Sequence, residues 1–212
     1  MKNDADWQID WSKEPDLARL NHIYTLFKVD VRAAIEELKL LAQKGSLASM
    51  MYLGQLYRFG GRIDALEWPK PRHFVATDLH ESEYWFRQAA KTGNIVAHYH
   101  LGRTLLKLRK YDEAKAALEF GVDRNFAPAI HMLGRMHLTG RGVEKNKEKA
   151  RKLFERAAAD GNILAKLSMA RSFADAHESF PTRVRGRWLS LKALCEAVAS
   201  YWSDGFPNNR LR

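Results

Sequence analysis

One five-residue phrase constrains this chain more than any other feature, because it occurs four times. Gly161-Asn162-Ile163-Leu164-Ala165, Gly93-Asn94-Ile95-Val96-Ala97 and Gly45-Ser46-Leu47-Ala48-Ser49 are close copies, and Asn125-Phe126-Ala127-Pro128-Ala129 is a looser one. Nine residues after each opening residue stands a small residue behind a large apolar one: Leu53-Gly54, Leu101-Gly102, Leu133-Gly134 and Met169-Ala170. Twelve after it come Tyr57, Leu105, His137 and Phe173. The anchors at 45, 93, 125 and 161 lie 48, 32 and 36 residues apart, which marks a repeat array with insertions. A unit this short cannot bury its apolar face alone, so neighbours must stack. The expected fold is all-α, an α-α superhelix of about four to five helix-turn-helix repeats with a C-terminal capping helix.

The boundaries follow from the period. Residues 1–15 read as an unstructured arm, 16–203 as a single repeat domain, and 204–212 as a polar tail. The repeats fall at about 16–45, 46–93, 94–125, 126–161 and 162–203, the last atypical and capping. Asp16 and Asp30 are placed to cap helices, and Gly45 to end one. First helices are expected over about 47–59, 94–108, 127–139 and 163–176, second helices over about 79–91, 112–124 and 147–160. Gly54, Gly102 and Gly134 fall inside helices, where glycine costs up to ~1 kcal/mol relative to alanine. A close crossing against Trp85-Phe86, Leu118 and Leu153-Phe154 would offset that cost, and a leucine at Gly134 should overpack it.

Two segments depart from the period. Gly60 to Thr77, with Trp68-Pro69-Lys70-Pro71, fits either a binding loop or a passive insertion. A turn-rich stretch through Pro181 then leads to a helix from about Trp188 to Ser203, with Trp188, Leu191, Cys195, Val198 and Trp202 on one apolar stripe. A cap over the open end is the first reading of that helix, a membrane or partner helix the second. Apolar surface at either end would also give a route to a homodimer.

Charge and composition narrow the partners. The 212 residues carry a net charge of +10, which suits an acidic protein, nucleic acid or an anionic membrane surface, or is simply a solvated basic face. Cys195 is the single cysteine, so no internal disulfide forms, as in a reducing compartment. The polar opening Met1 to Asp6 leads into no apolar stretch and no run is long enough to span a bilayer. The expected address is the cytoplasm.

No catalytic, cofactor-binding or metal-ligating set is expected. Neither His80-Glu81-Ser82-Glu83-Tyr84 nor His177-Glu178-Ser179-Phe180-Pro181 completes a zinc-binding His-Glu-x-x-His pair. Gly140-Arg141-Gly142 continues as Val143-Glu144-Lys145, which fits a tight turn and no nucleotide loop. His98 and His100 point different ways on a helix, and His131 and His137 lie more than a turn apart. Cys195, on the apolar stripe, reads as a buried small side chain.

The repeat resembles the Sel-one-like repeat family, a subclass of tetratricopeptide-type helical repeats. The fourth copy carries it best: Ala129, Leu133-Gly134, Gly140-Arg141-Gly142-Val143, Lys149-Ala150, Leu153-Phe154, Ala157-Ala158 and Gly161. The second supplies Leu53-Gly54, Tyr57, Gly60, Trp85-Phe86, Ala89-Ala90 and Gly93. In the third, Lys107-Leu108-Arg109-Lys110 replaces the Gly-x-Gly turn. The resemblance covers about residues 31–176 and implies a protein-binding scaffold. A cysteine-rich secreted branch of the family resembles weak penicillin hydrolases. The paired cysteines of that branch are missing here, so a β-lactam hydrolase is only a remote alternative.

In tetratricopeptide-like arrays the first helices line a concave groove. Position ten after each anchor is Gln55, Arg103, Arg135 and Arg171, and Tyr99 and His131 stand one turn earlier on the same face. These six are the expected partner-binding residues, because guanidinium forks match carboxylates and tyrosine adds a flat contact. The leading expectation is a non-enzymatic adaptor binding an acidic or extended protein segment. The competing reading of the arginines is that each pairs with an acid of the adjacent helix or lies solvated. The main alternative function is a basic platform for nucleic acid or an anionic membrane, drawing on Lys107 to Lys110, Lys145 to Lys152 and Arg183 to Arg187.

Overall fold

The protein is described by a computed structural model over residues 9–27, 29–60, 75–160, 162–173 and 180–203. Among these residues the regular structure is helical throughout. It comprises α1 (Leu17–Leu26), α2 (Val31–Gln43), α3 (Leu47–Phe59), α4 (Leu79–Ala90), α5 (Ile95–Lys107), α6 (Tyr111–Asp123), α7 (Ala127–Thr139), α8 (Lys147–Ala159), α9 (Ile163–Phe173) and α10 (Phe180–Ser203).

The anchor phrase is a helix start. Ser46, Asn94 and Asn162 each accept a hydrogen bond from the backbone N–H three residues on, satisfying an orphan donor of the first turn. Asp16 and Asp30 cap α1 and α2 in the same way. Where the anchor is Asn125, the chain adopts φ 56°, and Pro128 sits in the first turn of α7 instead of a capping side chain.

The helical glycines mark where two helices nearly touch. A Cβ at Gly54 would lie 2.7 Å from the Phe86 ring, one at Gly102 2.7 Å from Leu118, and one at Gly134 2.7 Å from the Phe154 ring. The cost of glycine is therefore offset by fully burying a large side chain, worth roughly 1.5–3 kcal/mol each. Gly121 makes a fourth such contact, against Ala129.

The helices fall into two compact units, Met1–Phe120 and Gly121–Arg212. In the first, Ile23, Leu38, Leu41, Leu53, Phe86, Leu101 and Leu105 form a continuous core through α1 to α5. Ser82 is buried there and donates to the Gly54 carbonyl at 2.8 Å, tying α4 to α3. In the second, Ile130 of α7, Ala157 of α8 and Ala165 of α9 meet, and α10 packs on α9.

Three regions depart from expectation. Within the N-terminal arm, Trp11–Lys13 forms one 3-10 turn because Asp10 accepts from Ser12 N–H. Glu14 then accepts from the Ala48 N–H at 2.8 Å and from the Ser46 hydroxyl, adding a second cap to α3. The C-terminal helix starts at Phe180, about two turns before Trp188, because proline is tolerated in a first turn and Gly186 is buried as a helical residue. The apolar stripe of α10 also does not face inward: Val184, Trp188 and Leu191 are at least half exposed, and Cys195 is exposed, not buried. Ala193, on another face, is the buried contact. The side chains of Val198 and Trp202 lie outside the described residues, as does the insertion from 61 to 74. At its margins, Asp78 N–H donates to the Tyr57 carbonyl at 2.7 Å. Gly60 has φ 66° and would place a Cβ 2.9 Å from the Val75 carbonyl, so glycine is required.

Candidate functional site

In the first unit, the expected residues Gln55, Tyr99 and Arg103 come together with three that the position-ten rule does not select: Arg58, His100 and Lys107. Arg58 follows Gln55 by three residues on α3, and Lys107 follows Arg103 by four on α5, so each extends the same helix face. Between the two helices stands His100. Its Nδ1 lies 3.2 Å from Arg58 Nη1, and its Nε2 lies 3.5 Å from the Gln55 amide. Guanidinium only donates, so Nδ1 accepts, the ring is neutral and its proton is on Nε2. The Gln55 atom nearest that proton is the amide Nε2, itself a donor, and turning the amide over brings its oxygen there instead. The imidazole also stacks on Phe86, at 5.2 Å between centroids.

Arg58 is only 2% exposed, and its Nε has no hydrogen-bond partner. Its guanidinium carbon lies 4.8 Å from the Phe59 ring centroid, and Lys107 Nζ lies 5.6 Å from the same centroid. Arg103 lies 5.4 Å over the Tyr99 ring. Among the described residues, no carboxylate pairs with Arg58, Arg103 or Lys107. Burial, then repulsion from Arg103, push the Arg58 guanidinium down to about 10. Burial, then Arg58 and Arg103, hold His100 down at about 3 and lower Lys107. The three cations therefore feel one another, with a neutral imidazole between them.

Between α4 and the start of α6 the same unit treats its charges differently. Glu83 of α4 is buried and accepts from Lys110 Nζ at 2.9 and 2.8 Å and from Arg87. Arg87 also reaches Glu113 at 2.8 Å. Burial pushes the Glu83 carboxyl up, and the bonds from Lys110 and Arg87 more than reverse this, leaving it below the usual range.

In the second unit, Arg135 is exposed, and His131 is buried with Nε2 2.8 Å from Ser168 Oγ. Burial, then Arg135, push His131 down to about 4. Arg171 lies on α9, and its side chain is outside the described residues. His98 and His137 serve the fold. His98 stacks on Phe120 at 3.7 Å, and His137 Nδ1 donates to the Glu144 carbonyl at 3.2 Å, pinning the Gly140-Arg141-Gly142 turn. Among the described residues no helix is long and apolar enough to cross a membrane.

Paired helices crossing at buried glycines, opened by a recurrent capping phrase, define a helical-repeat protein of the tetratricopeptide type. Residues 72–94 and 127–162 match the Sel1 repeat, so the chain carries Sel1-like repeats. A Sel1 repeat protein from Oxalobacter formigenes is similar over 91% of this chain and 82% of its own, at 18% identity and TM-score 0.59. So is c5321, a protective antigen present in uropathogenic Escherichia coli strains that displays this fold, at 16% identity and TM-score 0.59. That match covers 86% of this chain but only 46% of c5321, so the chain spans about half its length. MamA is similar at 20% identity and TM-score 0.52, over 79% of this chain and 90% of its own. At these identities the likeness is one of fold. No curated protein matches the sequence.

Proposed function

We propose that this chain is a non-enzymatic adaptor that holds an acidic, extended segment of another protein against the faces of its first helices. Sel1 repeats are in general protein–protein interaction modules. The observation that carries the finer reading is the uncompensated charge of Arg58, Arg103 and Lys107 beside Tyr99. Guanidinium forks bind carboxylates in preferred planar geometry, and the tyrosine ring packs the methylenes of an extended chain. Arg135, exposed on the second unit's α7, offers the same chemistry there. A platform for nucleic acid is the weaker reading, because Lys110 of the basic run is already bound to Glu83. The direct test is capture on an immobilised Glu-rich peptide. Wild type should be retained and the double variant Arg103→Glu, Arg135→Glu should pass through; equal retention would remove the arginines from the account.

A further inference from the structure

We infer that Arg58 is a charge kept deliberately without a counter-ion, which turns Arg58, Arg103 and Lys107 into a subsite for a carboxylate of an acidic protein segment. This deepens the adaptor reading and rests on it.

A buried guanidinium ordinarily comes with a carboxylate, because an unpaired ion inside a protein is strongly unfavourable. The same unit follows that rule where Glu83 gathers Lys110 and Arg87. Arg58 does not follow it. Its neighbour across α5 is a neutral imidazole, which satisfies one N–H and supplies no charge. Its Nε is buried and unsatisfied. Desolvation and the neighbouring Arg103 act against its charge, and nothing among the described residues acts for it except the weaker influence of Tyr99.

An incoming anion supplies what is missing. Lys107 is exposed and Arg103 half-buried, so these two are the groups an external carboxylate reaches. Arg58 lies behind them, on the same Phe59 ring that Lys107 approaches. Water does not screen a buried charge well, so its field acts on a bound anion more strongly than an exposed charge at equal distance. Arg58 thus strengthens binding without touching solvent. Phe59 is 42% exposed, and with Tyr99 it gives flat apolar walls, suited to the methylenes of Asp and Glu side chains in a peptide.

Fluorescence anisotropy of a labelled Glu-rich peptide, with a Gln-rich counterpart and a single-stranded oligonucleotide as competitors, tests this on the full chain. Wild type should bind the Glu peptide and ignore the Gln peptide. Arg58→Met should weaken binding about tenfold while melting no lower than wild type, since it removes a buried unpaired charge. Lys107→Met, a surface change that leaves the fold intact, should weaken binding roughly threefold. A lower melting temperature for Arg58→Met would make Arg58 a structural donor to His100 and overturn the inference. So would unchanged affinity in both Met variants; if Arg103→Glu still abolished binding in that case, the adaptor reading would survive alone. Equal binding of the Gln peptide, no binding at all, or displacement by the oligonucleotide in preference to peptide would remove both.

Discussion

Lys107 and Lys110 belong to one basic run, yet the fold gives them opposite surroundings. Lys110 reaches across to α4 and is held by both oxygens of Glu83, with Arg87 and Glu113 completing a neutralised network. Lys107, less than a turn earlier, points to the α3–α5 side and joins Arg58 and Arg103, where no acid among the described residues meets it. The first cluster is a brace between second helices. The second is a cluster of cations between first helices, which we propose as the carboxylate subsite. Charge density along the sequence is the same in both, and what differs is which helix each residue faces.

Breaking the brace should have the largest effect. Glu83→Ala strands Lys110 and Arg87 and leaves a buried void, so we expect a loss of about 3 kcal/mol in urea unfolding. The Glu83 carboxyl is held below its usual value, so its contribution is present above pH ~4.3 and fades as the pH falls further. Gly102→Leu comes next. It drives a side chain into Leu118 and shifts α5, which carries Arg103 and Lys107, at a cost of about 2 kcal/mol. Peptide affinity should fall with it, whereas the Glu83 variant should bind nearly normally; matched losses in both would blur the distinction between brace and site.

A smaller effect comes from pH. His100 is held at about 3 in the folded chain, so below its ordinary value near 6.5 the unfolded chain takes up the proton first. Stability is therefore full above pH ~6.5 and declines on acidification, by about 1 kcal/mol between pH 7 and 5.5. Thermal melts of wild type and His100→Gln across that interval check it, the variant having the flatter profile. The smallest expected change is in Arg58→Met, within ~0.5 kcal/mol of wild type or slightly above it. Since Glu83→Ala and Arg58→Met each delete one buried charged group, the gap between their unfolding energies measures directly how differently the two clusters are compensated.

Much of the scaffold was legible in the residues. Asp16, Asp30, Ser46 and Asn94 announce helix starts through chemistry that acts within three residues, and Gly54, Gly102 and Gly134 announce close crossings at a fixed offset. The candidate site was legible only in part. Gln55, Tyr99 and Arg103 follow from position ten and the turn before it, but Arg58 and Lys107 needed the same face to be followed one turn further. The exposed stripe of α10 escaped for a related reason. Trp188, Leu191 and Cys195 are apolar at helical spacing, but periodicity does not say which face the preceding helix will cover.

The sequence by itself determined the helix pairs and the three crossings at Gly54, Gly102 and Gly134, because those depend on interactions within a turn or at a constant repeat offset. Only the tertiary structure decided which cations are neutralised. An ion pair depends on two side chains far apart in the chain meeting in space, and Lys107 and Lys110, so alike in the sequence, differ in nothing else.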